Sequence, residues 1–228
     1  MSLAETAGLL ADRTRAAFCL ALFDGRAWTA GELARHAGVS ASTASEHLSR
    51  LVTGGLLVEE RQGRHRYVRL SGPAAAQLIE SLAAFTPDTA TPAGLRESTR
   101  LGAEARARTC YDHLAGQLGV SVAAAALERG LVTEEAGLAV TEPGRRWFAE
   151  LGIDLAALRK SGSRPLLRSC LDWTERRNHL AGAAGAALCS RALDRRWVER
   201  IGSGRALTVT AAGRVAFADL LGIDTAAT

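Results

Sequence analysis

A chain of 228 residues with 47% apolar and 23% charged side chains can bury a real core, which excludes a disordered or fibrous protein. Aromatics make up only 5%, so the apolar content is chiefly Ala, Leu and Val, the composition of helix packed on helix and not of a β-sandwich. A formal net charge of +4 permits a polyanionic partner without identifying one; Lys160 is the only lysine, so arginine supplies all the other basic residues. The opening MSLAETAGLLADRTR has no basic segment ahead of an apolar one, and no run reaches the roughly 18 apolar residues of a membrane span. A cytoplasmic protein that does not enter the membrane is expected. Cys19, Cys110, Cys170 and Cys189 lie far apart with no C-x-x-C pair, so reduced thiols are expected in place of a disulfide framework or zinc knuckle.

In chain order, residues 3–12 and 13–24 read as two helices, the second with Ala16, Ala17, Leu20 and Phe23 at helical spacing, and Gly25 ends it. Thr29 with Glu32 three residues on forms a capping-box pattern that starts a short helix through Ala37, which Gly38 breaks. Ser40 caps a further helix over 41–53, stopped by Gly54 and Gly55. Residues 56–60 and 65–70 read as strands joined by Arg61-Gln62-Gly63-Arg64, and Pro73 opens an amphipathic helix to about Phe85. Pro87 and Pro92 in FTPDTATPAG forbid continuous helix there. The expected organisation is therefore a domain at 1–86, a linker at 87–94 and a second domain at 95–228.

The second domain repeats itself. RTCYDHLAGQLG from Arg108 is echoed by RSCLDWTERRNHLAGAAG from Arg168, with WTERRN inserted, and LAVTEPGRRWFAELGID from Leu138 is echoed by LTVTAAGRVAFADLLGID from Leu207. The copies, about 108–154 and 168–224, each read as helix, β-element, Thr N-cap (Thr141, Thr210) and short helix, with a hairpin around Gly202-Ser203-Gly204 in the second. Two copies are too few for a solenoid. They are expected to pack as a pseudo-symmetric pair, each with a winged-helix-like outline, separated by Ser161-Gly162-Ser163-Arg164-Pro165. The fold class is mainly α with small β-hairpins.

The strongest functional signal runs from Thr29 to Leu70. Leu33, Ala37, Val39, Ala44, Leu48 and Leu51 are spaced to pack two helices across the Gly38 turn, with Ala34 small enough for close crossing. The opposite face offers Ser40, Ser42, Thr43, Ser45, Glu46, His47 and Arg50, mostly short polar side chains of the kind that reach base edges in a major groove. Arg61, Arg64, Arg66 and Arg69 then fall within a nine-residue stretch that contains no acid, and can meet phosphates or a narrow minor groove.

This order of elements resembles the winged helix-turn-helix of the ArsR/SmtB family of bacterial transcriptional repressors, carried by LADRTR, TAGELARHAGVSASTASEHLSRL and GLLVEERQGRHRYVRL over about residues 3–86. The resemblance implies a homodimer paired through its first and last helices, with two recognition helices on a palindromic operator in double-stranded DNA. It assigns DNA contacts to Ser40, Ser42, Thr43, Ser45, His47 and Arg50, and to Arg61, Arg64 and Arg66 of the wing. His47 has a competing role in the packing seam beside Leu48. The metal sites usual in the family are missing from this part: ELARHAG has no cysteine, and GPAAAQLIESLAAF has no His, Cys or Asp. Cys19, in the apolar run AAFCLALF, reads as a packing residue.

Two effector sites are conceivable in the second domain. The repeats place Cys110 with Cys170, Asp112 with Asp172 and His113 with His179 at equivalent positions, and thiolate plus imidazole suits a soft metal, arsenite or an oxidant. A duplicated unit also duplicates its core, and the packing reading is preferred, with no cofactor expected and a soft metal ion not favoured. On one unbroken helix Cys170 and His179 would face roughly opposite ways, so a site requires a break within 173–178. Alternatively a small apolar or aromatic effector would sit near Tyr111, Trp147, Trp173 and Trp197. No catalytic motif is found, and GAAGAAL reads as helix packing because it is placed mid-helix without a preceding strand, so no enzyme is expected. The expected function is a sequence-specific DNA-binding transcriptional repressor released by an effector. The alternatives are a Cys110/Cys170 metal, arsenite or redox sensor, and an adaptor that does not bind DNA.

Overall fold

The computed structural model describes residues 2–63, 65–85, 95–135, 137–160, 164–202 and 204–225. Arg64, the linker 87–94, residues 161–163 and Ser203 lie outside them. The chain divides into two compact units, Met1–Thr86 and Pro87–Thr228.

The first unit runs α1 (Leu3–Leu10), α2 (Arg13–Ala21), β1 (Trp28–Thr29), α3 (Ala30–Ala37), α4 (Ala41–Thr53), β2 (Leu57–Gln62), β3 (His65–Leu70) and α5 (Pro73–Phe85). Caps set most boundaries. Ser2 and Glu5 close a capping box on α1, Asp12 caps α2, and Thr29 with Glu32 closes the box expected on α3. Gly38 ends α3 at φ 67, a left-handed turn that glycine adopts without a Cβ penalty, and Ser40 then caps α4. Phe18, Leu22, Leu33, Leu48, Leu51, Leu57 and Leu70 are fully buried between the helices and the sheet. At roughly 1.5–3 kcal/mol per buried large apolar side chain, these residues are the main force holding α4 against α2 and α3. The sheet order is β1-β3-β2, all antiparallel. The two-residue β1, absent from the sequence reading, exists because the buried Asp24 carboxylate accepts hydrogen bonds from the Arg26 guanidinium and Trp28 Nε1, which aligns Trp28 with Val68.

The second unit comprises α6 (Leu95–Arg106), β4 (Arg108–Cys110), β5 (His113–Ala115), α7 (Gly116–Glu128), β6 (Val132–Thr133), β7 (Ala139–Val140), α8 (Glu142–Glu150), α9 (Leu155–Lys160), β8 (Arg168–Leu171), β9 (Asn178–Ala181), α10 (Gly182–Asp194), β10 (Val198–Arg200), β11 (Leu207–Val209) and α11 (Ala211–Leu221). Each repeat is thus hairpin, helix, hairpin, helix. The expectation that each copy opens with a helix is corrected: RTCYDHLA forms the β4–β5 hairpin, turned by Tyr111 at φ 56, and the helix starts only at Gly116. The reading of GAAGAAL is corrected too. It begins α10 directly after β9, with Gly182 at φ 88. Its first amides are already used, since Ala183 and Ala184 N–H donate to the Pro165 and Leu166 carbonyls at 3.0 and 2.9 Å. Thr141 and Thr210 cap α8 and α11 as expected. The repeats share one core, in which Leu118, Val122, Phe148, Leu188 and Phe217 pack together.

Candidate nucleic-acid interface and Cys–His cluster

On α4 the apolar face is buried through Ala44, Leu48 and Leu51, while Ser42, Ser45, Glu46 and Arg50 are exposed. Ser40 Oγ accepts the Thr43 amide at 3.2 Å and lies 2.9 Å from Ser42 Oγ and 2.8 Å from Thr43 Oγ1, so three hydroxyls cluster at the positive end of the helix dipole. Arg50 pairs with Glu46 at 2.6 Å, but both are more than half exposed, and such a pair holds the guanidinium by only about 0–1 kcal/mol. His47 differs from its neighbours. Its Nδ1 lies 3.3 Å from Arg15 Nη1 and 3.6 Å from Asp12 Oδ1, and Arg15 itself is buried against the Gly8 and Leu9 carbonyls, so the ring braces α4 on α2.

In the wing, β2 and β3 pair in register from Leu57↔Leu70 to Gln62↔His65, with Arg61 opposite Arg66. Glu59, outside the stretch counted for charge, lies 2.6 Å from Arg66 and 3.8 Å from Arg61. The cross-strand neighbour therefore offsets part of the local positive charge, and the exposed Arg61 is held more weakly than Arg66.

In the second unit the paired Cys and His residues converge. Cys110 faces His113 across the β4–β5 hairpin and Cys170 faces His179 across β8–β9, so each pair projects from one face of its hairpin. The loop between β8 and β9 supplies the break that the spacing required. All four side chains are buried, the cysteines are thiols, and the four ligand-type atoms lie within 4.8 Å of one another. His113 Nε2 and His179 Nε2 are 3.1 Å apart.

Each histidine is backed by a carboxylate. His113 Nδ1 is 3.1 Å from Asp112 Oδ1, and Arg164 grips Asp112 with both terminal nitrogens. His179 Nδ1 is 3.2 Å from Asp172 Oδ2, off the axis of a well-formed hydrogen bond. Arg108 Nη2 donates to Asp172 Oδ1 at 2.9 Å, and the Gly116 amide donates to Oδ2 at 2.7 Å. Close helix–hairpin contact depends on Gly119 and Gly185: a Cβ there would stand 2.4 Å from the Leu114 carbonyl and 2.5 Å from the Leu180 carbonyl. It would also touch His179 and His113 respectively, so the helix of each repeat packs on the histidine of the other.

Burial pushes Asp112 up, but hydrogen bonds from His113 and Arg164 outweigh it and hold its carboxyl down to about 2. Burial also pushes Asp172 up, and His179, Arg108 and Thr174 overcome it and hold it well below the carboxylate range. Groups depressed in the folded state stabilise it above their unfolded value near 3.9, and that contribution is lost as pH falls. Melting of the second unit followed by circular dichroism is expected to drop steeply as pH falls below about 4, and less steeply in Asp112→Asn.

Each of the three tryptophans of this unit has its own partner. Trp147 packs edge-on to Phe148 inside α8, Trp197 packs on Phe217, and Trp173 lies under Arg108 at 4.9 Å. A groove of about 450 Å³ in this unit is lined by Leu138, Arg145, Arg159, Arg164 and Leu166 among others, and by none of Tyr111, Trp147 or Trp173.

A family model for a helix-turn-helix domain matches residues 10–60, which span α2 through most of β2. Over nearly its whole length the chain is similar to YdfF of Bacillus subtilis (strain 168), described as an uncharacterized HTH-type transcriptional regulator. The two are 41% identical over 217 residues, which cover 95% of each chain. The chain belongs to the HTH-type transcriptional regulators. Among solved structures, the regulator is similar to the homodimeric winged helix-turn-helix DNA-binding domain of Mb0332 from Mycobacterium bovis, a possible ArsR-family transcriptional regulator, at 29% identity and TM-score 0.33. That match covers 35% of this chain and 73% of the other. It is also similar to the cadmium metal-sensor CMTR from Mycobacterium tuberculosis, at 34% identity and TM-score 0.31, covering 41% of this chain and 98% of the other. Among the described residues, no helix of the regulator is long and apolar enough to cross a membrane.

Proposed function

We propose that this regulator is a homodimeric, effector-released repressor that reads a palindromic operator in double-stranded DNA with α4 and grips its phosphates with the wing. The observation that carries this reading is the exposed face of α4, where Ser42, Ser45 and Arg50 point outward from a helix whose other face is fully packed. The hydroxyls can exchange hydrogen bonds with base edges or phosphates, and Arg50 is free to trade its weak ion pair for a guanine edge. Arg61, Arg64 and Arg66 add sequence-independent affinity. His47 orients α4 from behind. Dimer pairing through α1 and α5 is supported by Leu3 and Leu82, which stand exposed on those two helices. Two recognition helices would then meet successive major grooves about 34 Å apart, and an effector would act by changing that separation.

The test is selection of bound fragments from a random duplex library, followed by affinity measurements across a salt series. A palindromic consensus and a steep loss of affinity with salt are expected. In Ser42→Ala/Thr43→Ala/Arg50→Ala, preference for the consensus over unrelated duplex should vanish, each lost base contact removing about 1–3 kcal/mol of discrimination. Arg66→Ala should weaken binding to all duplexes alike. Unchanged selectivity in the triple variant would overturn the assignment of α4.

A further inference from the structure

We infer that Cys110, His113, Cys170 and His179 form a closed, four-coordinate site for one borderline-to-soft cation of the zinc type, clasping the two repeats of the second unit.

The donor atoms already occupy a volume of the right size, since they all lie within 4.8 Å of one another. Tetrahedral zinc at about 2.0–2.1 Å from nitrogen holds two imidazole nitrogens about 3.3 Å apart, and here His113 Nε2 and His179 Nε2 are separated by 3.1 Å. A carboxylate beside each Nδ1 favours the tautomer with the proton on that side, which turns the two Nε2 lone pairs toward each other. A metal ion between them would accept both lone pairs.

The surroundings match a metal centre better than an ordinary core. Metal-binding histidines characteristically pass their second N–H to a carboxylate that fixes tautomer and orientation. A carboxylate stands beside the second nitrogen of each histidine here, Asp112 at 3.1 Å from His113 Nδ1 and Asp172 at 3.2 Å from His179 Nδ1, and each carboxylate is in turn held by an arginine, Arg164 and Arg108. A divalent cation with two thiolates and two neutral imidazoles is neutral, and each Asp–Arg pair behind the histidines is neutral as well. The four donors of the second unit suffice for a tetrahedron, the geometry of structural zinc sites. Two thiolates with two imidazoles favour zinc-group ions and copper(I) over magnesium or calcium, whose ligands are oxygen. Because one Cys–His pair comes from each repeat, the bound ion would cross-link β4–β5 to β8–β9.

The experiment uses the full chain, stripped with a chelator under reducing conditions and titrated with Co²⁺ and then Zn²⁺. One equivalent of Co²⁺ should bind with the intense visible bands of a tetrahedral ion and a near-ultraviolet thiolate-to-cobalt band, and Zn²⁺ should bleach both. Zn²⁺ should also raise the melting temperature of the second unit. Cys170→Ser should weaken the thiolate band and shift the visible bands, whereas Cys19→Ser should leave the spectrum unchanged. Asp112→Asn, which touches no metal, should retain the spectral form and lower affinity by about 10–100-fold. Absence of saturable Co²⁺ binding to the wild-type chain, an octahedral spectrum, or a thiolate band that survives in Cys110→Ser/Cys170→Ser would overturn the assignment. DNA binding by α4 is measured separately, so loss of either result leaves the other standing.

Discussion

Arg108→Met is expected to destabilise the second unit by about 3–5 kcal/mol, read as a fall in the urea midpoint of its unfolding transition. Arg108 is fully buried, and its guanidinium donates to Asp172 Oδ1 at 2.9 Å, to the Glu104 carbonyl at 3.0 Å and to Thr174 Oγ1 at 3.1 Å. Methionine fills much the same volume but leaves Asp172 as a buried anion without its counter-charge. The carboxylate keeps donors from the Thr174 amide and hydroxyl, the Glu175 amide and the Gly116 amide, so the loss should fall toward the lower end of that range. Removing the anion as well, in Arg108→Met/Asp172→Leu, should recover only part of the stability, because those same amides would then be orphaned. A single variant as stable as the wild type would show that this ion pair does not hold β4 to the β8–β9 hairpin.

A second large effect is expected at Gly144 and Gly213, the third residues of α8 and α11. A Cβ at either position would stand 1.9 Å from a backbone oxygen, that of Leu131 or Trp197. Neither carbonyl can retreat easily, since each also accepts a hydrogen bond from the amide of the capping threonine, Thr141 at 3.1 Å and Thr210 at 3.0 Å. Alanine at either glycine must push a helix off its hairpin and is expected to cost about 3 kcal/mol, the upper part of the range for overpacking. Gly102→Ala in α6 is the matched control: its Cβ would meet only the Arg106 side chain at 3.7 Å, and it should be neutral or stabilising by up to about 1 kcal/mol. Differential scanning calorimetry of the three variants separates the cases. Equal melting temperatures would mean that the close approach is not required.

Much of the first unit was readable because its signals are local. The Thr29–Glu32 box, the Ser40 cap and Pro73 mark where α3, α4 and α5 begin, and one helical period of apolar residues then specifies the buried face of α4. The two-residue β1 was not readable, because it exists only through pairing with β3. For His47 the sequence left a polar-face role and a packing-seam role both open, because its inward turn depends on Arg15, 32 residues away in the chain. In the second unit the Thr141 and Thr210 caps were visible in both repeats, but the need for glycine three residues on was not, because it comes from a carbonyl more than ten residues upstream. The opening hairpins were missed because the two-residue β4–β5 turn uses Tyr111 at positive φ in place of Gly or Asn, so no turn residue announced it. The nine-residue gap between Cys170 and His179 argued against proximity on a helix, and cross-strand register removes that objection.

The two carboxylates behind the histidines occupy equivalent places but differ in their access to water: Asp172 is fully enclosed, whereas the Asp112 side chain remains 31% exposed. Thr174, from the inserted residues 173–178, hydrogen-bonds the former, while Arg164, itself partly exposed, pairs with the latter. The internal twofold is therefore broken into a sealed side and an open one. Of the two otherwise matching carboxylates, Asp112 is the one that water reaches, and the Asp172 side is the dry half of this symmetric-looking core.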